Sequence, residues 1–401
     1  MQVERARDEA SEKRVVWTII VTRAVYALNW LNIATIFAEM GADFKQGPVG
    51  LGLLTASFYA GVGLMQVPGG IVAARYGYKK VSVAGTLVAS GAALLCGLVP
   101  SFGEVVALRF VVGAGMALFF GPALVILTRS LRRETSGLGV GMYNSAFAIG
   151  GFVAFFFWGI LASTFGWRPS VEISGAMGLL TGVAVLVVVP RDVARAGFTL
   201  RLAGLRRIIM NRKLVLLGLG VLALSIGNGL IQSFMFYYVN QKLGLGVAES
   251  GLVSSLIVIL PILSSLLVGS RFYDRMRKPR LLMVVADVVM AGALLIAAGG
   301  SVAAAVASGV VGGIVSGLGF TAGFAAARDL NDIEREYDSL AVAWVNSISL
   351  LGSFGPPIVF SFVATLAGYS LAWVVGAVLV LAFTLPLAFL EEGIRLREAS
   401  L

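Results

Sequence analysis

The residues best suited to chemistry lie inside the first long apolar stretch of the chain. Thr18, Thr22, Tyr26 and Asn29 recur at i, i+4, i+8 and i+11, a spacing that places them on one helix face. Arg23 adjoins this stripe, and no acidic residue within the stretch neutralises it. A buried arginine needs water, a counter-charge or a ligand, and guanidinium matches a carboxylate through two parallel hydrogen bonds. The stripe predicts a substrate site with Arg23 as an anion clamp; the alternative is an arginine that snorkels or is held by backbone carbonyls.

Further polar groups interrupt other apolar stretches. Arg109 lies in a glycine-flanked apolar run, and Asn228 and Gln232 form an i, i+4 pair. Asn144 and Asn346 each precede a serine and stand 202 residues apart. Such groups either bind a ligand in a cavity or form hydrogen bonds between helices. We take all five as candidate substrate-binding residues, with helix packing as the alternative for each.

Composition removes much of the chemistry that enzymes use. The chain of 401 residues contains no histidine and one cysteine, Cys96. This excludes Ser-His-Asp and Cys-His catalytic units, imidazole metal sites and an intrachain disulfide. We therefore expect no enzymatic activity, no metal and no other cofactor. In a soluble protein the net charge of +10 would suggest a nucleic-acid partner. Here the excess basic residues fall in predicted cytoplasmic loops, so we expect no nucleic acid.

Hydrophobicity places the chain in a lipid bilayer. Hydrophobic residues make up 58% of the chain and charged residues 13%, and the mean hydropathy is +0.92, outside the range of soluble domains. Twelve apolar windows of spanning length fall between about residue 15 and residue 390. Continuous apolarity without alternation favours helices over barrel strands. The sequence predicts an all-α integral membrane protein with 12 transmembrane helices.

The charges of the loops predict the orientation. With the N-terminus inside, the inner tails and loops hold 26 Lys and Arg residues, the outer loops hold 3, and 2 lie within spans. This bias predicts a cell-membrane protein with both termini in the cytoplasm. The charged start of the chain has no cleavage site typical of a signal peptide, so the first span is expected to stay in the protein.

A repeat divides the chain into two halves. Gly166 returns as Gly368 at an offset of 202, and Arg75 returns as Arg275 at an offset of 200. Two parallel, pseudo-symmetric six-helix bundles are therefore predicted. The predicted segments are a cytoplasmic tail, the first bundle, a cytoplasmic linker, the second bundle and a second cytoplasmic tail: 1–14, 15–190, 191–213, 214–390 and 391–401.

The loop after the second span carries a family motif. Gly70-Ile-Val-Ala-Ala-Arg75-Tyr-Gly77-Tyr-Lys79-Lys80 resembles the major facilitator signature, with alanine in place of its aspartate. Arg109-Phe-Val-Val-Gly113-Ala-Gly115 resembles the second signature, and Gly166-Trp167-Arg168 is similar to a common turn of that superfamily. The segment Ser57–Gly70 resembles the form of this helix in its organic-anion and nitrate branches.

The resemblance implies a substrate site between the two halves near mid-membrane, around which the halves rock in alternating access. For Arg109 it implies a role in proton coupling or in structure. No Walker-type nucleotide motif appears, which favours a secondary active transporter driven by a proton or ion gradient. We expect a monomer that moves a small organic anion, in particular a carboxylate. Uniport and exchange stay open, because the transported-proton acid of many relatives is absent. The alternative is a multidrug–proton efflux antiporter, although Phe147–Gly159 lacks the glycine-proline signature of that class.

Broken symmetry between the two signature loops predicts a gate. Arg75, Gly77 and Lys79 lie in the first loop, and Arg275 lies in the second, where the aspartate missing from the first is present as Asp274. A carboxylate there is expected to meet the cytoplasmic N-terminus of the fifth helix. That contact can form only when the cytoplasmic side is closed, so Asp274 is expected to favour the outward-open state. The alternative is an exposed surface carboxylate.

Overall fold

The structure is a computed structural model that describes residues 2–131, 136–190, 202–265, 278–330, 332–334 and 337–391. Its helices, in chain order, are α1 Gln2–Phe44, α2 Pro48–Tyr76, α3 Tyr78–Leu98, α4 Phe102–Arg129, α5 Ser136–Phe165, α6 Trp167–Val188, α7 Leu202–Ile209, α8 Arg212–Gln241, α9 Val247–Ser264, α10 Pro279–Ala297, α11 Val302–Arg328, α12 Asp338–Gly352, α13 Gly355–Ala367, α14 Tyr369–Thr384 and the 3-10 helix Leu385–Phe389. Among the described residues, twelve helical segments are long and apolar enough to cross a membrane. The predicted all-α membrane fold is confirmed.

Those twelve spans follow the chain in order. They are α1 to α6, α8 to α11, α12 joined with α13, and α14 joined with the 3-10 helix. The eleventh span breaks between α12 and α13 at Ser353 and Phe354. Pro356 and Pro357 follow directly and lack the backbone N–H that a continuous helix uses. Helix α1 begins at Gln2, in the segment expected to be a tail, and continues unbroken into the first span, which begins at Glu12.

Proline and glycine set several helix ends. Pro48 and Pro279 stand in the first turns of α2 and α10. Backbone N–H groups in a first turn have no partner within the helix, so proline costs no hydrogen bond there. Gly166 links α5 to α6 at a φ of 90°, and Gly368 links α13 to α14 at a φ of 87°. Glycine adopts such positive angles without steric cost. The same turn therefore returns in the second half at the offset that the sequence predicts.

A polar cluster joins three helices of the first half on the side opposite the start of α1. Arg168 Nη2 lies 3.1 Å from Asp43 Oδ2, and its Nη1 donates to the carbonyls of Gly97 and Val99 at 3.0 and 2.9 Å. Trp167 Nε1 also donates to Asp43 Oδ2, at 3.1 Å. These bonds tie the ends of α1 and α3 to the start of α6, so this end of the first half is braced.

The hydrophobic core is shared by the halves on one side of the bilayer and divided on the other. The side on which α1 begins and α2 ends is called the basic side below. Towards the opposite side, one cluster contains residues of both halves, and the rings of Phe37 and Tyr237 lie 5.7 Å apart. Towards the basic side each half has a cluster of its own, around Phe119 in the first and Val345 in the second. The halves thus separate towards the basic side.

Glycines on α2 and α5 locate this separation. Near the opposite side, Gly52 of α2 lies against Ser361 and the backbone of α13, and Gly159 of α5 lies against α8 and α9. Gly70 and Gly141 stand five helical turns from them, on the same faces, yet a methyl group at either would have no neighbour within 4 Å among the described residues. The cleft between the halves therefore opens to the basic side.

Candidate functional site

Arg23 lies among aromatic rings between α1, α4 and α5. Its guanidinium carbon stands 4.4 Å from the ring centroid of Tyr26, 4.8 Å from Phe120, 4.9 Å from Tyr143 and 4.6 Å from Phe147. Arg23 is 6% exposed, and its Nε and Nη1 atoms are buried without a hydrogen-bond partner. Cation–π attraction offsets part of the cost of burying the charge. The unpartnered N–H groups remain able to donate to an anion.

Arg109 is more firmly held. Its Nη1 donates to the carbonyl oxygen of Asn29 at 3.0 Å, and its Nη2 donates to that of Trp30 at 3.2 Å. Its guanidinium lies 4.6 Å from the ring centroid of Phe58, and its Nε has no hydrogen-bond partner. These bonds tie α4 to α1, so Arg109 has a structural role beside any role in the site.

Three rings connect the two arginines, and we call them the aromatic row: Phe147, Trp30 and Phe58. The Phe147 and Trp30 ring centroids are 5.6 Å apart, and those of Trp30 and Phe58 are 4.8 Å apart. Phe147 contacts Arg23 at one end, and Phe58 contacts Arg109 at the other. None of the ion pairs among the described residues involves either arginine. Within the part of the chain that the structure describes, the first half therefore presents two buried positive charges that form no ion pair.

A cavity of about 270 Å³ lies where the aromatic row meets the second half. Its lining residues come from α1, α2, α4 and α8: Trp30, Leu31, Ile33, Ala34, Thr55, Phe58, Arg109, Gln232 and Ser233. Two predicted site residues, Arg109 and Gln232, are thus brought together across the two halves, although they are far apart in the sequence.

A hydrogen-bonded chain in the second half holds Gln232 at the cavity. Gln232 Nε2 donates to Asn228 Oδ1 at 2.6 Å, and Asn228 Nδ2 donates to Ser316 Oγ at 2.8 Å. Ser316 Oγ in turn donates to the carbonyl of Gly312 at 2.7 Å. Asn228 therefore bridges α8 and α11, whereas Gln232 reaches the cavity.

The predicted stripe of α1 faces the interior of the first half rather than the cleft. Thr22, Tyr26 and Asn29 line a pocket of about 290 Å³ between α1, α3, α4 and α6. Asn29 Nδ2 donates to the carbonyl of Ser174 at 3.0 Å, which braces α1 against α6. Within the stripe, the ring of Tyr26 contacts Arg23. Gly178 of α6 allows α3 to pack closely against α6, since a methyl group there would collide with Ser90 of α3.

The symmetry-related asparagines lie nearer the basic side. Asn144 is exposed and stands two turns before Gly151, which lies against α9, so its position faces the second half. Asn346 is half-buried on α12. The neighbouring Ser347 donates to the carbonyl of Gly63 on α2 at 3.1 Å, a hydrogen bond between the halves. Asn144 is therefore exposed on the side facing the second half, whereas Asn346 stands beside a contact between the halves.

The predicted gate is described only in its first loop. Arg75 is exposed and stacks on the neighbouring tyrosine ring at 5.4 Å. Gly77 forms the turn between α2 and α3 at a φ of 105°. Lys79 Nζ donates to the carbonyl of Val189 at the end of α6, a contact within the first half. Two gate residues lie outside the described residues: Asp274 and Arg275.

Sequence reasoning missed several residues of the cleft. Trp30 directly follows Asn29, and Phe58 lies in the segment that resembles the organic-anion branches, but nothing in their spacing predicts a shared cavity. Phe147 is one of many phenylalanines of α5, and Thr55 is a single hydroxyl on α2. The usable signal was that a buried arginine tends to pack against aromatic rings. Which rings these are is decided by tertiary packing.

Two proteins of known name match part of this chain in sequence. A lincomycin resistance protein of Streptomyces lincolnensis is 31% identical over 196 residues, which are 47% of this chain and 40% of that protein. A probable galactarate/D-glucarate transporter of Escherichia coli (strain K12) is 29% identical over 184 residues, 43% of this chain and 40% of that protein. The matched region thus spans about two fifths of these relatives.

Solved structures resemble the whole chain. A bacterial homolog of the human lysosomal transporter Spinster, inward-facing and occupied, has a TM-score of 0.72 at 18% identity and covers 94% of this chain and 96% of its own. A D-xylose–proton symporter has a TM-score of 0.76 at 14% identity and covers 94% and 98%. The family model described as Major Facilitator Superfamily matches residues 19–238 and 217–399. The chain is a multi-pass membrane protein that belongs to the Major Facilitator Superfamily.

Proposed function

We propose that this protein is a secondary active transporter that moves a small organic anion, a carboxylate, by alternating access. One observation carries the proposal: Arg23 and Arg109 are both buried in the first half, and no described carboxylate pairs with either. An arginine at mid-bilayer depth costs about 2.5–3.5 kcal/mol even on the lenient insertion scale. A bound carboxylate supplies the missing counter-charge, and Arg23 has N–H groups to receive it.

The cleft supports a transport cycle in which this anion enters between the halves. The halves meet on the side opposite the basic side and part on the basic side. With the termini in the cytoplasm, as the loop charges predict, this is the inward-facing state. Rocking of the halves would then expose the same arginines to the other side. We place the protein in the cell membrane on the same grounds.

A second candidate function is drug efflux. Two relatives are resistance proteins, for lincomycin and for methylenomycin A, while others are named as transporters of galactarate/D-glucarate, sulfoacetate and niacin. Two buried guanidinium groups repel cationic drugs and favour anions, so the charge of the site supports the carboxylate.

Flux into proteoliposomes tests the proposal. Uptake of galactarate, sulfoacetate, niacin and lincomycin is measured for the parent protein, Arg23→Gln, Arg23→Lys and Arg129→Gln. We expect uptake of at least one carboxylate, its loss in Arg23→Gln, and partial rescue in Arg23→Lys, because lysine keeps the charge but not the planar fork. Arg129→Gln removes an exposed arginine at the end of α4 and is expected to leave flux unchanged.

Two outcomes would overturn this assignment. Uptake of lincomycin with no uptake of any carboxylate would favour efflux. Carboxylate uptake that survives Arg23→Gln would remove Arg23 from the site and leave it a structural residue. We propose that transport is coupled to a proton or to another ion. A pH-sensitive dye trapped in the vesicles detects proton symport and separates it from uniport or exchange.

A further inference from the structure

The cavity between the halves collects hydrogen-bond donors around a buried positive charge. Thr55 of the first half and Ser233 of the second half both line it, together with Arg109. We propose that it is a binding site for a small anion, which Arg109 and the two hydroxyl groups hold between the halves. The anion is a free halide ion or the acid group of a larger compound. This inference goes beyond the proposed function, because the site does not depend on which compound is transported.

The hydroxyl groups of Thr55 and Ser233 differ from many buried hydroxyls of this bundle. Those commonly donate to a carbonyl one turn earlier in their own helix, as at Thr22, Thr86, Ser254, Ser316 and Ser353. Thr55 and Ser233 are each 7% exposed, yet neither hydroxyl forms a hydrogen bond with another described residue. Other unpartnered hydroxyls are enclosed by packing, as at Ser82, Ser250 and Ser308. Thr55 and Ser233 line a cavity instead, so each keeps a donor for a group inside it.

Arg109 supplies the positive charge. Its Nη1 and Nη2 atoms donate to the carbonyls of Asn29 and Trp30, and each keeps a second hydrogen. None of the residues that line the cavity is acidic, and the ion pairs among the described residues do not include Arg109. A buried guanidinium in a membrane protein needs a counter-charge or a ligand, and hydrogen bonds to an anion are stronger than those to a neutral group. An anion beside Arg109 would therefore pair its charge and use both hydroxyls.

The size of the cavity limits the anion. Its volume of about 270 Å³ includes open space at its mouth, and the room between the side chains holds little more than one water molecule. A halide ion or a single acid group is of this scale. A whole compound such as galactarate is larger, so only its acid group could enter the cavity in this conformation.

The cavity lies at the closed end of the cleft. Phe37 and Tyr237, whose ring centroids are 5.7 Å apart, stand one helical turn beyond Ala34 and Ser233, towards the side opposite the basic side. Because Arg109 belongs to the first half and Ser233 to the second, an anion bound to both would link the halves directly beside the contact that closes them.

Thermal stabilisation of the purified full-length protein by chloride and by formate tests the site. Ionic strength is kept constant with methanesulfonate, and the concentration dependence of Tm gives the affinity. We expect both anions to raise the Tm of the parent protein. Thr55→Val and Ser233→Ala each remove one hydroxyl and are expected to weaken binding about tenfold. Thr55→Ser keeps the hydroxyl and is expected to bind as the parent does.

Two control variants remove buried hydroxyls that already donate within their own helices: Thr86→Val in α3 and Ser254→Ala in α9. Both should bind chloride and formate with the affinity of the parent protein. If neither anion stabilises the parent, or if all four hydroxyl deletions weaken binding equally, the inference is overturned.

Competition distinguishes the two sources of the anion. Chloride binding is measured with and without galactarate, sulfoacetate or niacin. A carboxylate that weakens chloride binding would show that its acid group occupies the site, and a bound carboxylate that leaves it unchanged would show a separate halide site; both results support a small-anion site. Chloride binding without uptake of any carboxylate would overturn the proposed function alone. Carboxylate uptake by a protein that responds to neither chloride nor formate would overturn this inference alone.

Discussion

The two halves have the same architecture but put different chemistry on the wall that each contributes to the cleft. The first half contributes two buried guanidinium groups and the aromatic row. The second contributes neutral amide and hydroxyl groups. Its buried carboxylate, Asp287, accepts a hydrogen bond from Thr384 at 3.2 Å between α10 and α14, away from the cavity. Among the described residues, the buried cationic groups next to the cleft therefore belong to the first half.

This difference shows which features a duplicated bundle keeps. The turns at Gly166 and Gly368 retain the same conformation, because any side chain there would be strained. Cleft residues carry no such backbone constraint, so the two walls can diverge. We propose on this basis that the first half binds the anion and the second closes over it.

The largest expected effect concerns how the halves close. Gly52→Val places a side chain into Ser361 and the backbone of α13, and overpacking of this kind costs about 1–3 kcal/mol. We expect the halves to part on that side and to close on the basic side. In a Cys96→Ala background, a cysteine at Asn144 should then react more slowly with maleimide. Gly70→Val, on the same face but without neighbours within 4 Å, should not change this rate; equal slowing in both variants would show that the contact at Gly52 does not set the opening.

A second prediction separates the two arginines of the first half. Arg109→Leu removes two hydrogen bonds between α4 and α1, so we expect a loss of about 1–2 kcal/mol in stability, measured by thermal unfolding without ligand. Arg23→Leu removes a desolvated charge whose Nε and Nη1 make no hydrogen bond, and replacing such a charge by an apolar group is often neutral or stabilising. Its Tm should not fall. Similar losses in both variants would mean that Arg23 is held in place for structural reasons.

The smallest expected effect lies on the wall of the second half. Gln232→Leu removes a neutral amide from the cavity, and we expect the affinity for the transported carboxylate to fall by about threefold, or about 0.6 kcal/mol. Gln241→Leu, the same change at the exposed end of α8, should have no effect on binding measured by isothermal calorimetry. A loss in Gln232→Leu as large as that in Arg23→Gln would contradict the assignment of charge recognition to the first half alone.

Sequence reasoning reached particular residues of the site and not others. Arg23 and Arg109 were predictable because a charged side chain in an apolar span is costly to bury and therefore needs a partner or a ligand. The face of the stripe was not predictable: Asn29 and Trp30 are neighbours, yet one braces α6 and the other lines the cavity. Helical spacing reports which residues share a face, but it does not report which neighbouring helix that face meets.

The sequence by itself determined the membrane class, the twelve helices, the two halves and the family, because hydrophobicity, loop charge and turn glycines act locally or through composition. Tertiary structure alone decided that three separated rings, Phe147, Trp30 and Phe58, join Arg23 to Arg109, and that Gln232 completes the cavity from the other half. Such contacts depend on the rotation and depth of each helix. These are set by close packing of small residues over the whole bundle, and no single segment of the chain encodes them.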